Sequence, residues 1–513
     1  MTRHISFTAS SLIALFAGVL NIFAFAPFGF WPLQIATLAL MFWLALREPS
    51  VSRNVVFGYA YGFGWSVCGV YWLYISMHTY GGMPAIMAAI AVALMGLCLG
   101  AFSAFAFGVA AWMRQRWSSA TAISLLLILP PLWALSEWMR GWVLTGFPWV
   151  VSGYAHNQGP LSGFAPVGGV YGIGLLAALI AGSLALLPSK GKPAISGLLL
   201  SILIFGSGFA LKSIAWTEPS GQPISVRLLQ GNVSQESKFA EGQTGATLAQ
   251  YYDMIRAAPA DLIATPETAI PVLLGQLPPD YLPLLSAYAR QSNSHLALGV
   301  PINDGPGEYA NSLLVMSPTS AASEVPGYRY DKHHLVPFGE FIPFGFRWFV
   351  SMMNIPLGEF KRGPSLQAPF AVKDQQVLPN ICYEDLFGGE ISAQISESTS
   401  SGKAQATILM NVTNIGWFGN SLALPQHLQI SQMRALETGR PMLRVTNTGT
   451  TAFIDQSGNV VSQLPPFTRG TLEARVQGYR GWTPFILLGN RLAVLLACAM
   501  LGLAWLGSRR NRS

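Results

Sequence analysis

A chain of 513 residues with 51% hydrophobic and only 10% charged side chains is not an ordinary water-soluble protein, because soluble domains carry roughly 25% charged residues. The deficit is uneven: residues 1–215 and 484–507 are apolar, while 216–483 has the Asp, Glu, Lys and Asn content of a soluble domain. The formal charge of +7 is not gathered into a stripe or tail; the basic residues flank the apolar runs, which argues for membrane topology and against a nucleic-acid partner.

A membrane span needs about 20 mostly apolar residues. Candidates lie near 9–27, 32–47, 56–76, 84–112, 120–139, 164–187, 194–212 and 484–507. The first has the look of a signal peptide, with Arg3 ahead of an apolar run and AFA at Ala24–Ala26. Pro27 follows at once and further spans come after it, so a retained anchor is expected. Arg3, Arg47, Arg53, Arg114, Arg116, Lys190, Lys192, Arg509, Arg510 and Arg512 all fall on one side of an eight-span arrangement. Lys and Arg favour the cytoplasm, so both termini are expected there, with 216–483 on the far side. The expected organisation is a membrane domain of seven helices over 1–215, an extracytoplasmic domain over 216–483, and an eighth helix with a basic tail over 484–513.

Carriers place ionisable groups at mid-membrane depth, and these spans have almost none. Glu137 and Arg140 lie at one span's outer end in SEWMRGWVLTGFPWV. They read either as an interfacial pair among Trp138, Trp142 and Trp149 or as a rim for a lipid headgroup. The Gly and aromatic residues of YGFGWSVCGVYWLY and of TGFPWVVSGY, which contains Tyr154, suit helices that part to admit an acyl chain.

After a Pro/Gly-rich linker, WTEPSGQP, the pattern becomes short β-type runs alternating with helical ones. ISVRLLQGN, DLIATPETAI, HLALGVPI, NSLLVMS, QVLPNICYE, ATILMNVTN, MLRVTNTGTTAFID and TLEARV predict strands. TLAQYYDMIRAA, YLPLLSAYARQS and PQHLQISQMRALETGR predict helices, and SESTSSGK a polar surface loop. The alternation predicts a layered α/β domain around a buried sheet.

Three polar residues sit at or just past the carboxyl ends of strands, where such folds place chemistry. Glu267 ends LIATPE, Lys332 follows YRYD, and Cys382 ends VLPNIC. Each alone has a dull explanation: a turn residue, a solvated cation, a small core hydrophobe. The compartment sharpens the reading of Cys382. The other cysteines, Cys68, Cys98 and Cys498, all fall in predicted spans, so no disulfide partner is at hand in the outer domain. A thiol attacks as thiolate and needs a base or a nearby positive charge. A sheltered Glu with a raised pKa takes and returns the proton, and a Lys ammonium stabilises the oxyanion of a tetrahedral intermediate. Base, electrophile and nucleophile are then present without a metal or cofactor. The chain has no G-x-S-x-G elbow, H-E-x-x-H or Walker loop. A Cys–His pair with His333, His334 or His427 stays open. Two adjacent His point apart on a strand, which disfavours a metal at His333–His334.

These residues carry a resemblance. PETAI around Glu267, YDKHHLVPFGEF around Lys332 and ICYE around Cys382 resemble the Glu–Lys–Cys motifs of the nitrilase superfamily. NIGWFG at Asn414–Gly419 and RALE at Arg434–Glu437 resemble its later motifs, and RGWVLTGFPW and GGMP in the membrane part narrow the resemblance to the apolipoprotein N-acyltransferases. The resemblance implies an α-β-β-α sandwich joined to an eight-helix membrane domain in a bacterial inner membrane, with the catalytic domain periplasmic. It implies an acyl transfer from the sn-1 ester of a phospholipid, typically phosphatidylethanolamine, through a Cys382 thioester to the α-amine of a diacylated apolipoprotein. Glu267 is then the proton acceptor, Lys332 the stabiliser and Cys382 the nucleophile, with Glu340, Tyr383 and Glu384 in support. Glu137, Arg140, Trp149, Tyr154, Asn414 and Trp417 are the expected substrate contacts, and a monomer is expected. The segment FGFRWFVSMMNIPLGEF (Phe344–Phe360) reads as a lid with interfacial aromatics or as an ordinary surface loop. NVTNIGWFG departs from soluble nitrilases in having Ile415–Gly416 where a polar pair is commoner. An amidase that passes the acyl group to water, and a transporter or scaffold with an inert enzyme domain, are the rival readings.

Overall fold

The computed structural model describes residues 6–189, 191–238, 242–305, 307–319, 327–350, 359–400, 402 and 404–510. Arg3, Lys190 and Arg512 of the charge pattern lie outside them, as do Ser401 and Lys403 of the expected polar loop and residues 351–358 of the aromatic segment. The chain forms two compact units: Met1–Tyr74 with Ala85–Ala215 and Leu488–Ser513, and Ile75–Pro84 with Trp216–Leu487.

The first unit is helical. Helices at Phe7–Asn21, Pro32–Arg47, Val51–Val70, Ala85–Trp117, Leu129–Arg140, Ala165–Leu186, Gly191–Leu211 and Arg491–Arg510 fall where spans are expected. Among the described residues, six stretches are long and apolar enough to cross a membrane. The Pro32–Arg47 helix has 16 residues, or about 24 Å at 1.5 Å per residue, short of a ~30 Å hydrocarbon core. The Val51–Val70 helix has length enough, but Arg53, Asn54 and its glycines dilute its hydropathy. Those glycines are contact points: a Cβ on Gly62 would lie 2.8 Å from the Gly100 Cα of the facing helix. Close helix approach through small residues is how packing is gained where the hydrophobic effect is absent. Tyr61, Trp65 and Trp133 fill the interior, with Trp65 and Trp133 stacked at 5.8 Å between centroids.

The second unit contains two six-stranded mixed sheets. One has the order β12-β1-β2-β3-β4-β5, with β1 Thr217–Gln230, β2 Leu262–Ala264, β3 His295–Gly305, β4 Glu308–Met316, β5 Tyr328–Asp331 and β12 Gly470–Gly481. The other has the order β11-β10-β9-β8-β7-β6, with β6 Phe370–Val372, β7 Gln375–Ile381, β8 Ile408–Thr413, β9 Met442–Thr446, β10 Ala452–Ile454 and β11 Val460–Gln463. The central strands β1-β2-β3 and β7-β8-β9 run parallel, so their carboxyl ends open on one edge.

The alternation of each strand sorts its side chains. Val226, Leu228, Ala264, Leu313 and Tyr330 of one sheet meet Val377, Ile381, Ile408, Met410, Val412 and Val445 of the other in a core between the sheets. Their odd-register neighbours face outward: Leu229, Ile263 and Leu298 pack on helices Thr244–Arg256 and Tyr281–Ser292. Leu378, Leu409 and Met442 pack on Ile391, Ile395 and Ala435 of helices Gly388–Ser400 and Ala423–Thr438. The result is an α-β-β-α sandwich.

Two expectations change. WTEPSGQP is not a free linker: Thr217–Ser220 pair with Gly478–Gly481, and the register shifts before Ile224. Gly221, at φ +60°, absorbs that irregularity, which lets a Pro-containing stretch lie in an edge ladder. SESTS extends the helix Gly388–Ser400 rather than forming a loop, because Ile391 and Ile395 one turn apart anchor that helix on the sheet. Ile408→Ala, in the core between the sheets, should cost about 2–5 kcal/mol and lower the thermal midpoint in detergent. Val461→Ala, at 68% exposure on β11, should leave it unchanged.

Candidate active site

Lys332 stands two carboxylates wide. Its Nζ donates to Glu267 Oε1 at 3.2 Å and to Glu340 Oε1 at 2.8 Å, with the ammonium 1% exposed. Asn311 on β4 repeats the bridge, its Nδ2 donating to the same two oxygens at 2.7 and 2.9 Å. The remaining oxygens are taken by main chain: Asn414 N–H donates to Glu267 Oε2 at 2.7 Å and Val336 N–H to Glu340 Oε2 at 2.9 Å. Each carboxylate is therefore fixed at both ends.

The backbone makes this possible. Glu267 lies three residues past β2, in a turn where Thr268 has φ +51°. That turn lies directly on β3 at Gly299, where a Cβ would come within 2.2 Å of Pro266 O and 3.0 Å of the Glu267 Cα. Only glycine leaves the room. Lys332 follows β5, its N–H held by Asn311 O at 2.9 Å and its C=O by Gly363 N–H at 2.9 Å.

Cys382 is the first residue beyond β7 and opens the turn Cys382–Leu386 with φ +53°. A non-glycine residue in that region costs on the order of 1–3 kcal/mol, so the surroundings must hold it. Glu384 is one of the holders. It accepts from Ile381 N–H (2.6 Å), His333 N–H (2.7 Å), His334 N–H (3.2 Å) and Tyr330 O–H (3.0 Å). This single buried carboxylate ties the strand end that bears the thiol to the residues just after Lys332. Tyr383 is buried against the rings of His334 and Phe387.

Charge states follow from these contacts. Burial pushes the Cys382 thiol up to about 12, with the Glu267 carboxylate adding to the shift and Lys332 opposing it. Burial also raises Glu267, but Lys332, Asn311, the Asn414 N–H and Lys238 outweigh it and hold the carboxyl below its usual range. Burial works against the Lys332 ammonium, and the two carboxylates outweigh it to hold it above the usual lysine range. The resting site is thus a neutral thiol, an ionised glutamate and an ammonium. This corrects the expectation of a raised Glu267: the glutamate is sheltered, but its donors are too many.

Sequence reasoning missed Asn311 and Lys238. Lys238 is buried at 2% exposure, and its Nζ donates to Glu267 O at 3.3 Å. Burial lowers it to about 8 against the pull of Glu267 and Cys382. The signal was present, since QESK follows the carboxyl end of β1, the same rule that picked out the other three.

The expected contacts divide between the units. Asn414 meets Gln235 Oε1 through its Nδ2 at 3.0 Å and receives Asn447 Nδ2 on its Oδ1 at 3.1 Å, so it positions Glu267. Trp417 meets Tyr80 edge-on at 6.1 Å. Ile415 is buried, and a Cβ on Gly416 would lie 3.1 Å from Thr448 Oγ1. Glu137, Arg140, Trp149 and Tyr154 belong to the helical unit and are all buried there. Glu137 Oε1 accepts from Ser152 N–H at 2.7 Å and Arg140 Nη2 donates to Trp149 O at 3.1 Å. In the aromatic segment, Phe344 and Trp348 are exposed.

Residues 17–183 match the family model of the apolipoprotein N-acyltransferase N-terminal domain, and 225–483 match that of carbon-nitrogen hydrolases. A protein of Ralstonia nicotianae named apolipoprotein N-acyltransferase is 47% identical, over 97% of this chain and 93% of its own length. Proteins of the same name from Chromobacterium violaceum and Nitrosomonas europaea are each 41% identical, over 98% and 94% of this chain and 94% and 95% of theirs. The chain belongs to the apolipoprotein N-acyltransferase family. It is an acyltransferase with a carbon-nitrogen hydrolase fold and a multi-span membrane part.

The electrostatics make a test in which acidity and activity part company. Glu267→Gln removes the anion that raises the thiol, so alkylation of Cys382 by iodoacetamide should set in at lower pH than in the wild type. Acyl transfer should nevertheless fall by about 10²–10⁴-fold, the loss expected when a general base is removed. Gly299→Ala should also depress transfer, by driving the Glu267 turn off β3, which a structure of the variant would reveal.

Proposed function

We propose that this protein moves an acyl chain from the sn-1 position of a phospholipid, typically phosphatidylethanolamine, to the α-amine of the S-diacylglyceryl cysteine of an apolipoprotein. The observation that carries the reading is the buried Lys332 held by Glu267 and Glu340, with the Cys382 thiol in the electrostatic reach of all three. Glu267 is the base, Lys332 the oxyanion stabiliser and Cys382 the nucleophile; Glu340, Tyr383 and Glu384 hold them.

A free thiolate is costly at a site where the thiol sits near 12. The proton therefore leaves as the bond forms. Cys382 Sγ attacks the ester carbonyl while Glu267 takes the thiol proton on Oε2, because Oε1 already accepts from Lys332 and Asn311. The carbonyl oxygen becomes an oxyanion beside Lys332 Nζ. As the intermediate collapses, the ester C–O bond breaks, Glu267 returns the proton to the departing alkoxide, and a lysophospholipid leaves behind an acyl thioester. In the second half the acceptor amine attacks the thioester carbon and gives a proton to Glu267. The C–S bond breaks, the proton returns to sulfur, and an amide leaves. Water must be kept from the thioester between the halves, a task suited to the exposed aromatics Phe344 and Trp348 at a membrane surface.

In this reading eight helices cross the membrane with both termini cytoplasmic and 216–483 periplasmic, in a bacterial inner membrane. The loop charges of Arg47, Arg53, Arg114 and Arg116 support that orientation.

Incubation of the purified protein with phosphatidylethanolamine alone should give an acyl adduct that mass analysis places on Cys382, and Cys382→Ser should give none. Adding a diacylated lipopeptide should consume the adduct and yield triacylated peptide. Free fatty acid with no triacylated peptide would instead mark an amidase-like hydrolase, and an adduct on another residue would remove Cys382 as nucleophile.

A further inference from the structure

Beneath the nucleophile lies a polar network that the mechanism above does not use. Arg444 on β9 and His427 on the helix Ala423–Thr438 are buried at 0% and 1% exposure. Arg444 Nη1 donates to Ser431 Oγ at 3.0 Å and to Asn411 Oδ1 at 3.3 Å, and its Nη2 meets His427 Nδ1 at 2.9 Å. A guanidinium has no acceptor, so Nδ1 must accept and the ring proton sits on Nε2. The His427 ring also hydrogen-bonds the Cys382 main chain. With Nδ1 occupied, that bond is Nε2–H donating to the Cys382 carbonyl. Asn411 Nδ2 donates to the same carbonyl at 3.2 Å. Two donors therefore grip the Cys382 C=O, and both are oriented by the one guanidinium.

That grip answers a demand made by the backbone. Cys382 has φ +53°, a conformation that L residues other than glycine rarely hold unaided. Ser431, hydrogen-bonded to Asp385 on the same turn, fastens the turn's far side to the same arginine. The network also removes His427 as a base for the thiol, since one ring nitrogen is filled by Arg444 and the other carries the proton given to the carbonyl. Burial, with Arg444 beside it, holds the imidazole well below the usual histidine range and so keeps it neutral.

We propose that His427 and Arg444 are positioning residues: Arg444 sets the His427 tautomer, and His427 with Asn411 clamps the Cys382 carbonyl so that the thiol keeps its strained seat at the end of β7. The proposal rests on Cys382 being the nucleophile.

Glutamine separates positioning from base catalysis, because its amide both donates to a carbonyl and accepts from a guanidinium but takes no proton at neutral pH. In the full-length protein, transfer from phosphatidylethanolamine to a diacylated lipopeptide is measured for His427→Gln and His427→Leu, with Cys382→Ala alongside. His427→Leu should lose about 100-fold in kcat with KM nearly unchanged, while His427→Gln should retain activity within about tenfold. Equal loss in both variants would overturn the proposal in favour of an imidazole with proton-transfer duty, and full activity in both would overturn it outright. Should His427→Leu fail to accumulate in the membrane, His427→Gln decides alone: near wild-type kcat supports the clamp and a 100-fold loss refutes it. Activity retained by Cys382→Ala would bear on the nucleophile itself, a separate failure.

Discussion

Everything at the site depends on one cation placed between two anions. Without the Lys332 ammonium, Glu267 and Glu340 would face one another in a buried space, and one would take up a proton. With it, Glu267 is held below its usual range, Asn311 bridges the same two oxygens as the ammonium, and two main-chain N–H groups donate to the other oxygen of each carboxylate. Buried ions are stable only when so completely paired. The completeness also fixes position, since no carboxylate oxygen can swing without abandoning a donor. The fold is arranged to deliver these groups: β2, β5 and β7 end on one edge, and the loops β2–α and β7–turn need only a few residues to reach it.

The same cluster decides what the thiol is between encounters. Burial, with Glu267 beside it, holds the thiol protonated, while in the proposed reaction Lys332 meets a negative charge that appears only as the bond forms. Oxidation follows the thiolate and not the thiol. In the proposed setting and reaction, a thiol that stays neutral until the acyl donor arrives is protected from the compartment around it.

Much of this was legible in the sequence. The three chemical residues stood out because each ends a β-type run, and the cysteine because no other thiol lies in the outer domain. The strands with near-continuous apolar runs, such as HLALGVPI and ATILMNVTN, fall on β3 and β8, which are buried on both faces. What escaped has physical reasons. Strands β6 and β11 have three and four residues, too short for a period to show. WTEPSGQP reads as a breaker, and only its pairing with a strand some 250 residues later makes it β-structure. Asn311 looks like any polar residue opening a strand until both glutamates are seen to share it. The charge state of Glu267 was misjudged because burial was visible in the sequence and its four lowering partners were not.

The second unit includes Ile75–Pro84, a short piece of chain borrowed from between two helices of the first. Within that unit Tyr80 meets the ring of Trp417, and Ile75 lies where a side chain at Gly419 would have to go. The enzyme half is therefore discontinuous in the gene's order. A fragment starting at Trp216 would lack part of its own surface, next to the loop whose Asn414 N–H fixes Glu267. A core cut out of the chain from Trp216 onward would have to carry that decapeptide as well to keep these contacts.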